Sequence, residues 1–459
     1  MRSSFVTKTF WMDAALLPTG WANRTRISVE AGVIQSIELD VTPRVGDERC
    51  GVIVPGVPNL HSHAFQRAMA GLAEHRGDRS DSFWTWRDLM YRFAQRLDPE
   101  GMRAIAALAF MEMLEGGFVR VGEFHYLHHQ PSGAYYDNVA EMSAAIIAAA
   151  EETGIALTLL PVLYAASGFG GSIPNVTQRR FVNGLEAFNN LLEAIETAAT
   201  GHPDIVVGLA PHSLRAVPPD LLRDVVRLRP HAPVHIHVAE QVQEVEDCIK
   251  WSGRRPVEWL LDEVEVSDRW CLVHATHVTD IELARIVASG SVVGLCPITE
   301  ANLGDGIFPA AGLLEQGGRF GIGTDSNVRI GVANELALLE YGQRLVRRER
   351  NVLAQPGAAT GRSLFEAAIE GGAVTLGGGL CGIVPGAPAD FVQLDRAHPS
   401  LVHRNGDALL DSWIFASGNP AVEHVWRRGR KVVEGGRHHA RERIVHRYGE
   451  ALKRLMDEE

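Results

Sequence analysis

From about residue 52 onward, short runs rich in Val, Ile and Leu alternate with longer runs whose apolar residues recur at helical spacing. The short runs are GVIVPGVPNL, FVRVGEF, IALTLLPVLY, DIVVGLAP, APVHIHVAE, WCLVHATHV, SVVGLCP and RFGIGTDSN. The amphipathic runs between them include 101–115, 138–152, 179–198, 218–228, 279–289 and 332–349. Short apolar runs of this kind read as strands buried on both faces. Strands that alternate with helices imply a parallel sheet covered by helices. Eight such units close naturally into a barrel, so the expected fold class is α/β, a (β/α)₈ barrel over residues 52–379.

The flanks break this rhythm. Residues 1–51 carry hairpin-like stretches, RTRISVEAG and GVIQSIELD, and residues 380–459 carry PADFVQLD and VEHVWRRGRKVVEGG. The two flanking segments are expected to pair into one small β-sandwich beside the barrel. The stretch 350–363 reads as an exposed loop. No internal repeat or low-complexity segment is visible.

Composition narrows the function classes. The 459 residues carry a formal net charge of -12, with 46% hydrophobic and 22% charged residues. That argues against sequence-blind nucleic-acid binding, which needs a basic footprint. An anionic small substrate is still permitted, provided locally placed arginines meet it. The five cysteines form no CxxC pair, so a reducing compartment is expected, with Cys271 and Cys296 as buried small hydrophobes. The N-terminal residues show no signal-peptide core, and no run reaches 18 apolar residues. The expectation is a soluble, cytoplasmic protein with no membrane partner.

Polar residues at the C-terminal ends of the expected strands carry the chemistry, because barrel active sites sit there. Strand one ends in His61-Ser62-His63. Strand five holds His235 and His237, followed by Glu240. Strand six ends at His274, and strand eight in Thr324-Asp325-Ser326. Residues i and i+2 of a strand point to the same side, so His61 and His63 can aim two imidazoles at one point. His237 and Asp325 arrive from other strands. Three nitrogens and one carboxylate oxygen suit Zn²⁺ with a position left for water, unless Asp325 serves that water more than the metal. Singly, each residue has a bland reading: a strand histidine is commonly a hydrogen-bonded core residue, as expected for His235, and an Asp after a strand is commonly a helix N-cap. Their joint placement favours metal catalysis.

PGVPNLHSHAFQR, HIHVAEQ, LVHATHV, GIGTDSN and the C-terminal CGIVPGAPADFVQLD resemble the amidohydrolase superfamily over nearly the whole chain. The resemblance implies a distorted TIM barrel with a β-sandwich built from both termini. It implies His61, His63, His237 and Asp325 as metal ligands and places His274 in the active site. Two-metal relatives commonly bridge their ions with a carboxylated lysine after strand four. Here that stretch is GLAPHSLRA, with no lysine between Lys8 and Lys250, so one zinc per subunit is expected. Glu240 resembles the proton-shuttling glutamate of single-metal deaminases. His274 and Asp325 then orient the water.

GEFHYLHH, APHSLRA, HVAEQ and TDSNV together resemble the formimidoylglutamate deiminase family within that superfamily. The resemblance implies conversion of N-formimino-L-glutamate and water to N-formyl-L-glutamate and ammonia, a step of histidine degradation. It also implies a homodimer, and substrate contacts from Gln66, Arg87, Tyr126, His212 and Arg215. Arginine suits bidentate carboxylate recognition, and two arginines at the mouth can hold the two carboxylates. The aromatic segment around 80–93, SFWTWRDLMYRF at its centre, is a candidate lid. The competing readings are a guanine, cytosine or triazine deaminase, which shares the metal motif but needs stacking more than paired arginines, and a non-catalytic zinc-binding barrel.

Overall fold

The computed structural model describes residues 7–76 and 82–457. The chain begins with four strands, β1 (Lys8–Leu17), β2 (Gly20–Glu30), β3 (Val33–Glu38) and β4 (Glu48–Pro55). After one residue, Gly56, it enters β5 (Val57–Ser62). There follow β6 (Phe118–His125), β7 (Ala156–Leu163), the short β8 (Ile205–Val207) and β9 (Ala210–Pro211), β10 (Val234–Val238), β11 (Trp270–His274), β12 (Val292–Leu295) and β13 (Arg319–Ile322). The C-terminal part supplies β14 (Phe391–Leu394), β15 (Val422–Arg427), β16 (Arg430–Glu434) and β17 (Arg437–His438).

β5 to β8 pair in order and in parallel, β9 extends the far end of β7, and β10 to β13 form a second parallel set in order. Parallel bridges between Leu209 and Val234, and between Ser62 and Asp325, join the two sets at both edges. Every residue of β7, β10 and β11 is buried, as expected of parallel strands with both faces covered. The terminal segments meet in one eight-stranded sheet of order β17-β16-β15-β14-β4-β1-β2-β3. Its own core packs Phe10, Ile27, Ile53, Phe391 and Trp426 together.

Local chemistry fixes the helix starts. Asp98 caps the helix Pro99–Glu115 by accepting from Gly101 N at 2.6 Å, with Pro99 in the first turn where its missing N–H costs nothing. Thr279 and Glu282 form a reciprocal capping box for Asp280–Ser289. Two helices begin away from the expected points. The run 179–198 becomes helical only at Leu185, because the backbone before it is engaged elsewhere: Arg180 O accepts from the N–H groups of His128 and His129, and Asn183 N donates to Tyr164 O. The expected loop 350–363 stops at Thr360, where a helix runs to Thr375. Its Leu353 is buried, and the Leu353 N–H donates to Glu340. In the expected lid segment, residues 80 and 81 lie outside the described residues, and Phe83–Ala94 is a helix capped by Ser82. Among the described residues, no helix is long and apolar enough to cross a membrane.

Candidate metal centre and active site

β5 carries His61 and His63 to its end, and β10 carries His237. Asp325 follows β13. It is tied to β5 by the backbone: Thr324 N and Asp325 N both donate to His61 O at 3.0 Å, and His63 N donates to Asp325 O at 2.8 Å. Gly323 permits this approach, since a Cβ there would lie 2.7 Å from His61 O. A buried polar zipper reinforces it. Asn59 Nδ2 donates to Thr324 Oγ1, Thr324 Oγ1 donates to Asn327 Oδ1, and Asn327 Nδ2 donates to Ser62 Oγ and the carbonyls of His63 and Asp325. Ala239, His274 and Asp325 hold φ of 51°, 66° and 43° at or just past the ends of β10, β11 and β13. Left-handed backbone at non-glycine residues is strain of the kind that collects at functional sites.

One ligand atom from each of His61, His63, His237 and Asp325 falls within a 4.8 Å cluster, and all four residues are buried. His61 Nε2 lies 3.2 Å from His63 Nε2 and 3.1 Å from His237 Nε2, and His63 Nε2 lies 3.2 Å from Asp325 Oδ1. The second nitrogen of two rings settles the tautomers. His63 Nδ1 donates to Phe124 O at 2.9 Å and His237 Nδ1 to His212 O at 3.2 Å. Both Nε2 atoms therefore turn a lone pair toward the cluster. Burial pushes all three histidines down, His61 to about 3, so they are neutral imidazoles. Although burial opposes its ionisation, His61, His63 and His274 hold the Asp325 carboxyl well below the usual range. Converging lone pairs and a carboxylate repel unless a cation sits among them. The N₃O donor set and its hydrogen-bonded outer shell fit a metal such as zinc.

The neighbouring trio of His274, Cys296 and Asp325 shares Asp325 with this cluster. Burial opposes a charge on His274, but its Nδ1 lies 3.2 Å from Glu300 and its Nε2 faces Glu240 and Asp325 at 4.0 and 3.7 Å. Together these carboxylates raise it to about 10. Glu240 is pushed up, first by burial, with His274 and Arg215 opposing.

A cavity of about 510 Å³ opens beside the cluster. It is lined by Glu240, His274 and Asp325 and by Gln66, Arg87, Tyr126, His212 and Arg215. Of the residues singled out in the sequence, only His61 lies behind the wall, and His235, whose Nε2 donates to Thr375 O, lies outside the site. Gln66 Nε2 donates to the Tyr126 hydroxyl. Arg215 reaches Glu240 at 3.4 Å. Several residues around the site were not singled out in the sequence. Glu300 fixes His274, Glu244 accepts from the backbone N–H groups of Ala239 and Glu240, and Phe124 packs against the rings of His61, His63 and His237. Each is a common residue type whose placement depends on a neighbouring strand, so no local pattern announces it.

Comparison with known proteins agrees with this geometry. The amidohydrolase family model matches residues 52–432, and the model for the N-terminal domain of formimidoylglutamate deiminase HutF matches residues 9–51. The chain is 50% identical over 450 residues to a formimidoylglutamate deiminase of Pseudomonas aeruginosa, covering 97% of this chain and 99% of that one. A crystal structure of an amidohydrolase from Brucella melitensis superposes with a TM-score of 0.95 at 54% identity, covering 98% of this chain and all of the other. An adenosine deaminase from Xanthomonas campestris, solved with bound zinc, shares the fold at a TM-score of 0.81 and 22% identity, with 98% of each chain covered. The chain therefore belongs to the amidohydrolase family, in its formimidoylglutamate deiminase branch of hydrolases acting on C–N bonds.

Proposed function

We propose that the protein hydrolyses N-formimino-L-glutamate to N-formyl-L-glutamate and ammonia. The observation that carries the reading is a single cavity lined both by Glu240, His274 and residues of the metal cluster and by two arginines, Arg87 and Arg215. One zinc per subunit, held by His61, His63, His237 and Asp325, completes the site. When bound, the metal is a Lewis acid that lets water ionise near neutral pH.

The residues divide the remaining work. Arg87 and Arg215 pair with the substrate carboxylates, and Gln66, Tyr126 and His212 orient the chain between them and the formimino carbon. Glu240 accepts a proton from the attacking water. It delivers that proton to the terminal nitrogen, which becomes an amine on the tetrahedral carbon, and then carries the second proton, from the new hydroxyl, to the same nitrogen, so the C–N bond breaks as the C=O bond forms and ammonia leaves. A carboxyl with a raised pKa suits this exchange, because it gives the proton up as readily as it takes it. The His274 imidazolium offsets negative charge on the tetrahedral carbon's oxygen.

The same reading includes a closed (β/α)₈ barrel over 52–379, a small β-sandwich from 1–51 and 380–459, and a cytoplasmic homodimer. The parallel bridges at both edges of the strand sets and the single sheet shared by both termini support the first two.

The test is ammonia release from zinc-loaded protein at neutral pH, with N-formimino-L-glutamate, N-formimino-L-aspartate, guanine and cytosine in parallel. Rapid release from the glutamate derivative, lost on chelation and restored by zinc, is expected. Release from a heterocycle alone would leave the metal mechanism standing and remove the arginine clamp.

A further inference from the structure

Trp84 stands in the first turn of the helix Phe83–Ala94, which Ser82 caps. Trp84, Arg87 and Tyr91 are spaced i, i+3 and i+7, so they share one helix face. Arg87 lies against two rings of that face, its guanidinium carbon 4.5 Å from the Trp84 ring and 5.5 Å from the Tyr91 ring. The same indole also meets Arg215, which arrives from the loop after β9 with its guanidinium carbon at 5.9 Å. One aromatic residue therefore touches both arginines of the cavity, from two different elements.

Among the described residues, the Nε atoms of both Arg87 and Arg215 are buried without a hydrogen-bond acceptor. A buried guanidinium N–H left unpaired is unfavourable and awaits an anionic partner. Two cations drawn to one indole also repel each other; ion pairs with Glu240 at 3.4 Å and Glu244 at 3.8 Å hold Arg215, and an Arg87 left to itself would move away. The indole opposes this, because its face attracts each guanidinium and holds the planar forks in fixed positions.

We propose that Trp84 is a positioning residue that sets the separation of the two guanidiniums and so makes the cavity selective for dicarboxylates of one length. The proposal rests on the dicarboxylate reading of the substrate given above. Among the described residues Trp84 makes no hydrogen bond or ring contact with the metal cluster or Glu240, so its influence on the reaction runs through the arginines.

The experiment uses zinc-loaded wild-type protein with Trp84→Leu, Trp84→Phe and Trp84→Tyr. Calorimetric titration with glutarate and succinate, which cannot react, reads the length preference without turnover. Wild type is expected to favour glutarate by about tenfold, and Trp84→Leu to bring that ratio below about threefold. With N-formimino-L-glutamate, Trp84→Leu is expected to raise KM by about tenfold while kcat falls by less than about threefold, because binding is loosened and the chemistry is not. Trp84→Phe and Trp84→Tyr keep a ring and should fall between. If Trp84→Leu does not fold, these two carry the test by a smaller shift of the same sign. A wild type that binds both diacids equally, or a ratio unchanged in the variants, overturns the proposal. A wild type that binds glutarate selectively yet releases no ammonia from N-formimino-L-glutamate would overturn the reaction assigned above and leave the role of Trp84 standing.

Discussion

At the scale of single residues, Glu240 and His274 illustrate how two ionisable groups are driven apart in one cavity. Both are buried, and burial works against charge on each. His274 nevertheless stays protonated because three carboxylates surround it, whereas Glu240 is pushed up because burial outweighs the help of His274 and Arg215. On the proposed mechanism the outcome is a cation beside a carboxyl that exchanges its proton. Glu240→Gln keeps the size and polarity of the side chain but cannot carry the proton. The variant should fold and retain its metal, measured by atomic absorption, while turnover falls by about 10²–10⁴-fold. On the proposed reading, Arg87→Met and Arg215→Met remove one charge-assisted contact to a substrate carboxylate each. Each should raise KM for the dianion by about 10–100-fold, the loss expected for a hydrogen bond to a charged group. In steady-state assays kcat should suffer more in Arg215→Met than in Arg87→Met, because Arg215 also pairs with Glu240.

At the scale of elements, the strand ends were the legible part. HSH, HIHVAE and TDSN mark themselves because a strand sends alternate residues the same way and leaves its polar residues at one end. The neighbours that hold them were not legible. That Asn59 bonds to Thr324, and Thr324 to Asn327, is not readable until β5 and β13 lie side by side, with Asn59 and Thr324 265 residues apart along the chain. Two helices escaped for opposite reasons. Thr360–Thr375 presents small residues to tightly packed neighbours, so its apolar stripe is weak. Arg441–Met456 is rich in charged residues and lies in the segment expected to join the β-sandwich, yet it is a helix anchored by Arg447 to Glu152 at 2.6 Å. The first of these helices makes a sharp prediction. A Cβ at Gly371 would lie 2.0 Å from Phe320 O, on the strand β13 that precedes Asp325. That atom is backbone and cannot swing aside. Gly371→Ala should destabilise the protein by about 1–3 kcal/mol in denaturant unfolding. Because β13 positions Asp325, the metal affinity should weaken in the same variant.

At the scale of the whole molecule, the terminal sheet is locked onto the parallel strands and their helices by buried polar contacts that depend on protonation. His438, in the last strand β17, is an example. Its Nε2 donates to Thr153 O at 2.9 Å, at the end of the helix Glu141–Thr153, and its Nδ1 accepts from Ala440 N at 3.1 Å. Both bonds require the neutral ring with its proton on Nε2. Burial is the main cause that lowers the His438 pKa, to about 4 from 6.5. In the unfolded chain the ring takes up its proton as the pH drops through about 6.5, whereas in the folded protein it resists until about 4. Between these values the unfolded state binds more protons, so stability rises with pH across the window. The contribution is complete above pH 6.5 and is lost as pH falls toward 4. Other buried histidines share this direction, so wild type alone does not isolate His438. Glutamine can still reach Thr153 O but does not titrate. The His438→Gln variant should therefore lose less stability than wild type between pH 7 and 4.5, measured as denaturant midpoints at each pH. Parallel losses in the two proteins would place the acid sensitivity in the metal-cluster histidines and leave the junction with the terminal sheet indifferent to pH.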